Sequence, residues 1–155
     1  MSSDLAAVAR GIVDSNLYMT LATADETGRP WASPVWFAHE GYAEYYWVST
    51  PDARHSQNLR ARADLAVVIF DSGAAVGTGQ AVYMEATARE LTEAAELEHG
   101  IDMFSGVSEA QGAPAWSAED VRAPAAHRLY LAAAARHFVL DPQVHGVDER
   151  TAVTL

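Results

Sequence analysis

The stretch Val48-Ser49-Thr50-Pro51-Asp52-Ala53-Arg54-His55-Ser56-Gln57-Asn58-Leu59 decides the reading of this chain. It closes a run of β-formers, Tyr45-Tyr46-Trp47-Val48-Ser49-Thr50, and opens a helix. Thr50 before Pro51 has the form of an N-cap followed by proline at the first helical position. Arg54 and His55 then fall in the first turn. Cations there oppose the positive end of the helix dipole, at about 0.3–1 kcal/mol each on an exposed surface. The free N–H groups of the first turn point the same way. Positive side chains at such a place make sense if an anion rests on them, and phosphate is the usual one. The alternative is an exposed Arg54 paired with Asp52.

Upstream, Tyr18 to Ala24 reads as a strand, Asp25-Glu26-Thr27-Gly28 as a hairpin turn, and Trp31 to His39 as a second strand. The second strand carries large apolar groups on both faces, which predicts cover on both sides. Pro34 cannot donate to a ladder and marks an edge or an interruption. Before these strands, Leu5, Val8 and Ile12 repeat at helical spacing over Asp4 to Ser15, with Ser3 or Asp4 as the cap.

Downstream, Asp64 to Asp71 is a short apolar strand, Ser72 to Gly79 a glycine-rich turn, and Gln80 to Thr92 another strand. Thr92 has the form of a cap for a helix over Glu93 to Phe104, followed by a loop from Ser105 to Ala115. Ser117 caps a short helix, with Trp116 and Val121 at the spacing of a hydrophobic staple. His127 to Asp141 forms one or two strands. Residues 142–155 take no assignment. Short connections join most strands, so the fold is predicted to be mainly β, with peripheral helices and a largely antiparallel sheet, in one domain over residues 1–155.

The 155 residues carry a net charge of −11, which disfavours nucleic acid and anionic membrane surfaces as partners. All ten basic residues are arginine. Without lysine there is no Schiff base and no Walker-type phosphate loop. Without cysteine there is no disulfide, thiolate nucleophile or cysteine-ligated metal. No apolar run has the length of a signal peptide or membrane span, so a cytoplasmic protein is expected. Gly73, Gly77 and Gly79 precede a strand and read as a turn. Gly106-Val107-Ser108-Glu109-Ala110 lacks the last glycine of a nucleophile elbow. His39, His55, His99, His127, His137 and His145 show no metal-ligand spacing. Trp36 and Trp116 are candidates for a pocket wall, and the segment from Ser105 to Pro124 for a lid or a plain surface insertion.

The segments Asp25 to Phe37, Val48 to Leu59 and Asp64 to Phe70 resemble the pyridoxamine-phosphate-oxidase-like proteins. The resemblance covers residues 4 to about 92 well and the closing strand in outline. It implies a dimeric split β-barrel with FMN in a groove between subunits. Arg54 and His55 match the basic pair on the FMN phosphate. Val48, Ser49 and Thr50 match the strand end along the phosphate and ribityl chain. Ser33, Pro34, Val35 and Trp36 match the strand whose backbone meets the flavin ring, and Gln80 matches a ring contact. His55 stands where lysine is common, and Ala53 where serine is. The C-terminal signature of true pyridoxamine phosphate oxidases is not recognisable around Arg136 to Leu155, which argues against vitamin B6 synthesis. The implied function is an FMN-dependent oxidoreductase, a homodimer acting on a small molecule, with no catalytic side chain named. The alternatives are an F420-dependent reductase of the same fold and a non-catalytic flavin or haem binder.

Overall fold

The computed structural model describes residues 4–145 and 148–155, without the side chains of 144 and 145. Helix α1 (Leu5–Ser15) leads into strands β1 (Tyr18–Ala24), β2 (Pro30–Trp36), β3 (Ala38–Glu40) and β4 (Glu44–Ser49). Helix α2 (Arg54–Ala61), strands β5 (Asp64–Phe70) and β6 (Ala81–Glu90), and helix α3 (Ala94–Ala110) follow. A short 3-10 helix (Ala118–Val121), strand β7 (Arg128–Leu140), helix α4 (Pro142–His145) and strand β8 (Arg150–Val153) complete the chain.

All strand pairings are antiparallel, in the order β2-β1-β5-β6-β7-β4-β3, with β8 on β7. This is the expected largely antiparallel sheet. It curls, so that β2 and β4 touch although they are not paired neighbours. The expected strand from Trp31 to His39 is two strands. The break falls at Phe37, whose N–H donates to the Leu17 carbonyl. The chain changes partners there: β2 pairs with β1 and β3 with β4. Pro34 pairs with Thr20 on an edge strand, where its missing N–H costs no ladder bond. The expected cover on both faces of that strand forms only at its end, where Val35 enters one core cluster and Trp36 packs on Phe104 of the other. Trp31 is 41% exposed, and Val35 is the buried residue of β2.

Strand alternation divides the core in two. Tyr45 and Trp47 of β4 face one cluster with Met19, Leu21, Ile69 and Met84, closed by Ala9, Ile12 and Val13 of α1. Asp4 caps that helix through Ala6 N and Ala7 N; the alternative cap, Ser3, lies outside the described residues. Tyr46 faces the other cluster, with Leu129 and with Leu97, Ile101 and Phe104 of α3. The α3 helix differs from the expected Glu93 to Phe104. Glu93, not Thr92, caps it, through Ala95 N and Glu96 N, and it runs to Ala110. Gly106 is therefore helical. The buried residues Phe104, Ser105 and Ser108 continue the helical stripe past the glycine.

Gly100 lets α3 approach the sheet. A Cβ there would meet the Tyr46 ring at 2.8 Å and the Leu129 side chain at 2.9 Å, both fully buried. Gly100→Ala should therefore destabilise by about 1–3 kcal/mol through overpacking, offset in part by the ~1 kcal/mol of helix propensity alanine adds. A thermal melt that rises or stays level would contradict this packing.

Candidate anion site at the start of helix α2

The site is built where β4 ends. The expected Thr50 cap and Pro51 helical start are not what forms. The Thr50 carbonyl accepts from Ala53 N (3.2 Å) and Ser56 Oγ (2.9 Å), so a tight turn through Pro51 precedes the helix. Proline suits the second position of such a turn. Helix α2 then begins at Arg54 with Ala53 as its cap, and no side chain bonds the first-turn N–H groups. These are the donors an anion would find. Buried Asn58 pins the helix to β1 through Nδ2 to Thr23 Oγ1 at 3.1 Å, and Leu59 is buried beneath it.

His55 lies inward, 7% exposed, with Nε2 2.8 Å from Ser49 Oγ. Burial lowers its pKa, so near neutral pH it is an uncharged ring that exchanges a hydrogen bond with Ser49. The basic pair is thus one cation and one neutral partner. The unfolded state binds the His55 proton more readily than the folded state does. Its contribution to stability is complete above the unfolded value near 6.5 and declines as pH falls through the lowered folded value. Subtracting the melting curve of His55→Gln from that of the wild type, between pH 7.5 and 5, should isolate this decline. A difference independent of pH would show that His55 titrates normally.

Arg54 is exposed, and its guanidinium stacks 4.3 Å above the Trp31 ring. The pairing with Asp52 does not form: among the described residues no carboxylate lies within ion-pair distance of Arg54. The same holds for Arg29, Arg60, Arg62 and Arg128, whereas Arg10, Arg89, Arg122, Arg136 and Arg150 each meet an acid. The five carboxylate-free arginines share one flank. Arg60 reaches back to the Pro51 carbonyl (3.0 Å), Arg62 to the Glu26 carbonyl of the hairpin (3.2 Å), and Arg128 pairs in register with Ser49. Arg29 lies in that hairpin, where Asp25 Oδ1 accepts from its N–H at 3.0 Å. In a chain of net charge −11, five arginines thus gather around α2 without ion pairs among the described residues, with Asp25, Glu26 and Asp52 in the same turns.

The remaining expected site residues divide. Strand β2, with Ser33, Pro34, Val35 and Trp36, touches both α2 and β4. The side chains of Val35 and Trp36 point elsewhere: Val35 into the α1-covered cluster, Trp36 edge-on to Phe104 at 5.5 Å. That leaves the backbone of this segment and the half-buried Ser33 side chain to serve a ligand. Val48 packs with the α3 cluster, on the face opposite Ser49. Trp116 packs against Phe104 and His127, and Val121 is fully buried, so Trp116, Ala118 and Val121 belong to the α3 core. The Ser108 hydroxyl donates to the Pro114 carbonyl within the same unit. Gln80 is apart from the others. It donates to Asp141 at 3.1 Å at the Ala81↔Leu140 end of β6, whereas Ser49 lies beyond the Glu90↔Tyr130 end. Ten residues of strand separate them, about 30 Å. Trp31 and Arg128 were not read as site residues. Their roles depend on the curl of the sheet and on the β4–β7 register, which no local motif carries. Among the described residues no cluster of three metal-ligating side chains occurs, and no helix is long and apolar enough to cross a membrane.

Residues 5–139 match the family model described as pyridoxamine 5'-phosphate oxidase. The chain belongs to this family. No curated protein matches it in sequence. Solved structures share its split-barrel fold. HutZ, the haem storage protein of Vibrio cholerae, is 16% identical, with a TM-score of 0.68 over 91% of this chain and 95% of that one. A FAD-binding protein of Mesorhizobium loti is 18% identical, with a TM-score of 0.61 over 88% and 91%. A protein named F420 reductase is 15% identical, with a TM-score of 0.61 over 83% and 94%. At these identities the likeness is one of fold. Members of the pyridoxamine 5'-phosphate oxidase family commonly bind flavin, and these three names span three cofactors.

Proposed function

We propose that the protein is a flavin-dependent oxidoreductase that holds FMN by its phosphate at the start of α2 and acts on a small molecule in the cytoplasm. The observation that carries this reading is Arg54: a guanidinium with no carboxylate at ion-pair distance among the described residues, at an uncapped helix N-terminus, oriented by Trp31. An anion satisfies all three features at once. Ser49 and neutral His55 supply hydrogen bonds at the end of β4. The ribityl chain would run past Thr50. The ring would meet the main chain of Ser33 to Trp36, because β2 is an edge strand with peptide groups unpaired on one side. The bound flavin would supply hydride chemistry; the chain's own task is to place the ring and exclude water.

The separation of Gln80 from Ser49 supports a homodimer. A ring contact from Gln80 would have to come from a second copy. Residues 1–155 form a single domain in this reading. F420 is a second reading, favoured by Arg29, Arg60 and Arg62, which extend the positive flank beyond one phosphate and suit a longer acidic tail.

Titration with FMN and with F420, followed by anaerobic addition of NADH or NADPH, tests the assignment. Tight FMN binding with bleaching of the bound flavin is expected. Tight binding with no reduction by any nicotinamide or chemical donor would make the protein a carrier. Tighter binding of F420 than FMN would transfer the role to the deazaflavin.

A further inference from the structure

We infer that Arg128 is a second phosphate-binding cation of this site, sharing the anion with Arg54; the inference rests on the flavin reading above. Antiparallel register sets Arg128 directly opposite Ser49, the residue that holds His55. Side chains of such a pair share a face and lie about 5 Å apart at Cβ. The next pair on that face is Trp47 and Tyr130, stacked at 5.5 Å. The Tyr130 hydroxyl is buried at the end of this face. Ser56 sits beside it, its Oγ donating to the Thr50 carbonyl and open to accept from the tyrosine. Glu90, Arg60 and Arg128 all bring their charges to bear on the same hydroxyl, so Arg128 reaches the end of this face beside the start of α2.

The Arg128 side chain is held in place. Its Nη1 donates to the carbonyls of Ala125 and His127, both at 2.6 Å. Among the described residues it meets no carboxylate, and its Nε and Nη2 make no hydrogen bond. A guanidinium fixed by two carbonyls keeps a free fork for a planar array of oxygens. The charge balance points the same way. A phosphate monoester near neutral pH approaches a charge of −2. Arg54 supplies one positive charge and buried His55 supplies none. Arg128 provides the second from the neighbouring strand.

Arg128→Met and Arg128→Lys in the full chain test this against FMN, riboflavin and inorganic phosphate. The expected result for Arg128→Met is FMN affinity reduced by about 10-fold or more, with riboflavin affinity unchanged. A purely structural role would lower both flavins together. Arg128→Lys, which keeps the charge and loses the fork, should recover part of the FMN affinity. An Arg128→Met protein that separates FMN from riboflavin as well as the wild type does would overturn the inference. If Arg54→Ala still narrows that gap, the flavin reading survives the failure. Should the wild type not distinguish the two flavins, the flavin reading fails and inorganic phosphate decides for Arg128. The His55 imidazole resonance then responds to phosphate in the wild type and not in Arg128→Met, or Arg128 binds no anion here.

Discussion

Arg54→Ala should weaken FMN binding by about 10- to 100-fold, the range of a lost charge-assisted hydrogen bond to phosphate, and leave riboflavin binding unchanged. Arg54 is the exposed cation at the helix start, with its plane set by Trp31 at 4.3 Å. Stacking fixes the guanidinium without using its N–H groups. Arg54→Lys should therefore recover only part of the loss, because an ammonium keeps the charge but neither the fork nor the planar stack. Trp31→Ala should fall between the two, loosening the arginine without removing it. The Arg54 variant should melt close to the wild type, since no buried contact is lost. Salt sharpens the test. Exposed charges are screened beyond about 8 Å at physiological ionic strength, so the gap between wild type and Arg54→Ala should narrow as sodium chloride is raised. Isothermal titration with the two flavins at two salt concentrations reads all of these effects.

Trp47→Ala should cost about 3–5 kcal/mol of stability, the usual range for truncating a large buried aromatic. In a chain of this length that is a fall of roughly 6–20 °C in melting temperature. Trp47 is completely buried, stacks on Tyr130 with an interplanar angle of 14°, and lines the α1-covered cluster beneath α2. Among the described residues its indole N–H has no hydrogen-bond partner. Trp47→Phe should therefore cost far less than Trp47→Ala: most of the apolar area stays and no hydrogen bond is forfeited. Calorimetry of the two variants decides. Equal losses would mean that the indole nitrogen has a partner, and a small loss from Trp47→Ala would mean that the cavity collapses.

The strands were legible because their chemistry is local. Tyr18 to Ala24 and Asp64 to Asp71 alternate or run apolar between turn residues; the first forms where the pattern places it and the second ends one residue earlier, at Phe70. The hairpin was legible for the same reason: Asp25 Oδ1 accepts from Thr27 and Arg29, and Gly28 takes a φ of +87°. Helix ends were harder. Thr50-Pro51 and Thr92-Glu93 both carry residues able to cap, and the choice fell to competing bonds: the Thr50 carbonyl bonds Ala53 and Ser56, and Glu93 bonds two N–H groups. Gly106 looked like a loop residue, but tertiary burial on either side of it outweighs glycine's weak helix propensity.

Of the candidate site, the Arg54–His55 segment was legible from helix electrostatics together with the family resemblance. The state of His55 was not. Its neutrality comes from burial under the end of β4, a property of packing rather than of residue type. Trp31 and Arg128 escaped for a related reason. Trp31 reaches α2 only because the sheet curls, and Arg128 reaches Ser49 only through a register set over the six pairs between β4 and β7. The freedom of Arg54 from Asp52 could not be read from two nearby letters, since the turn that separates them is itself a result of folding.

The account turns on whether an anion belongs on the first turn of α2. Comparing wild-type affinity for FMN and riboflavin at low ionic strength asks this most directly, because the two ligands differ by one phosphate. FMN should bind at least about 10-fold tighter, with the advantage shrinking as salt is added. Equal affinities at low salt would contradict the account.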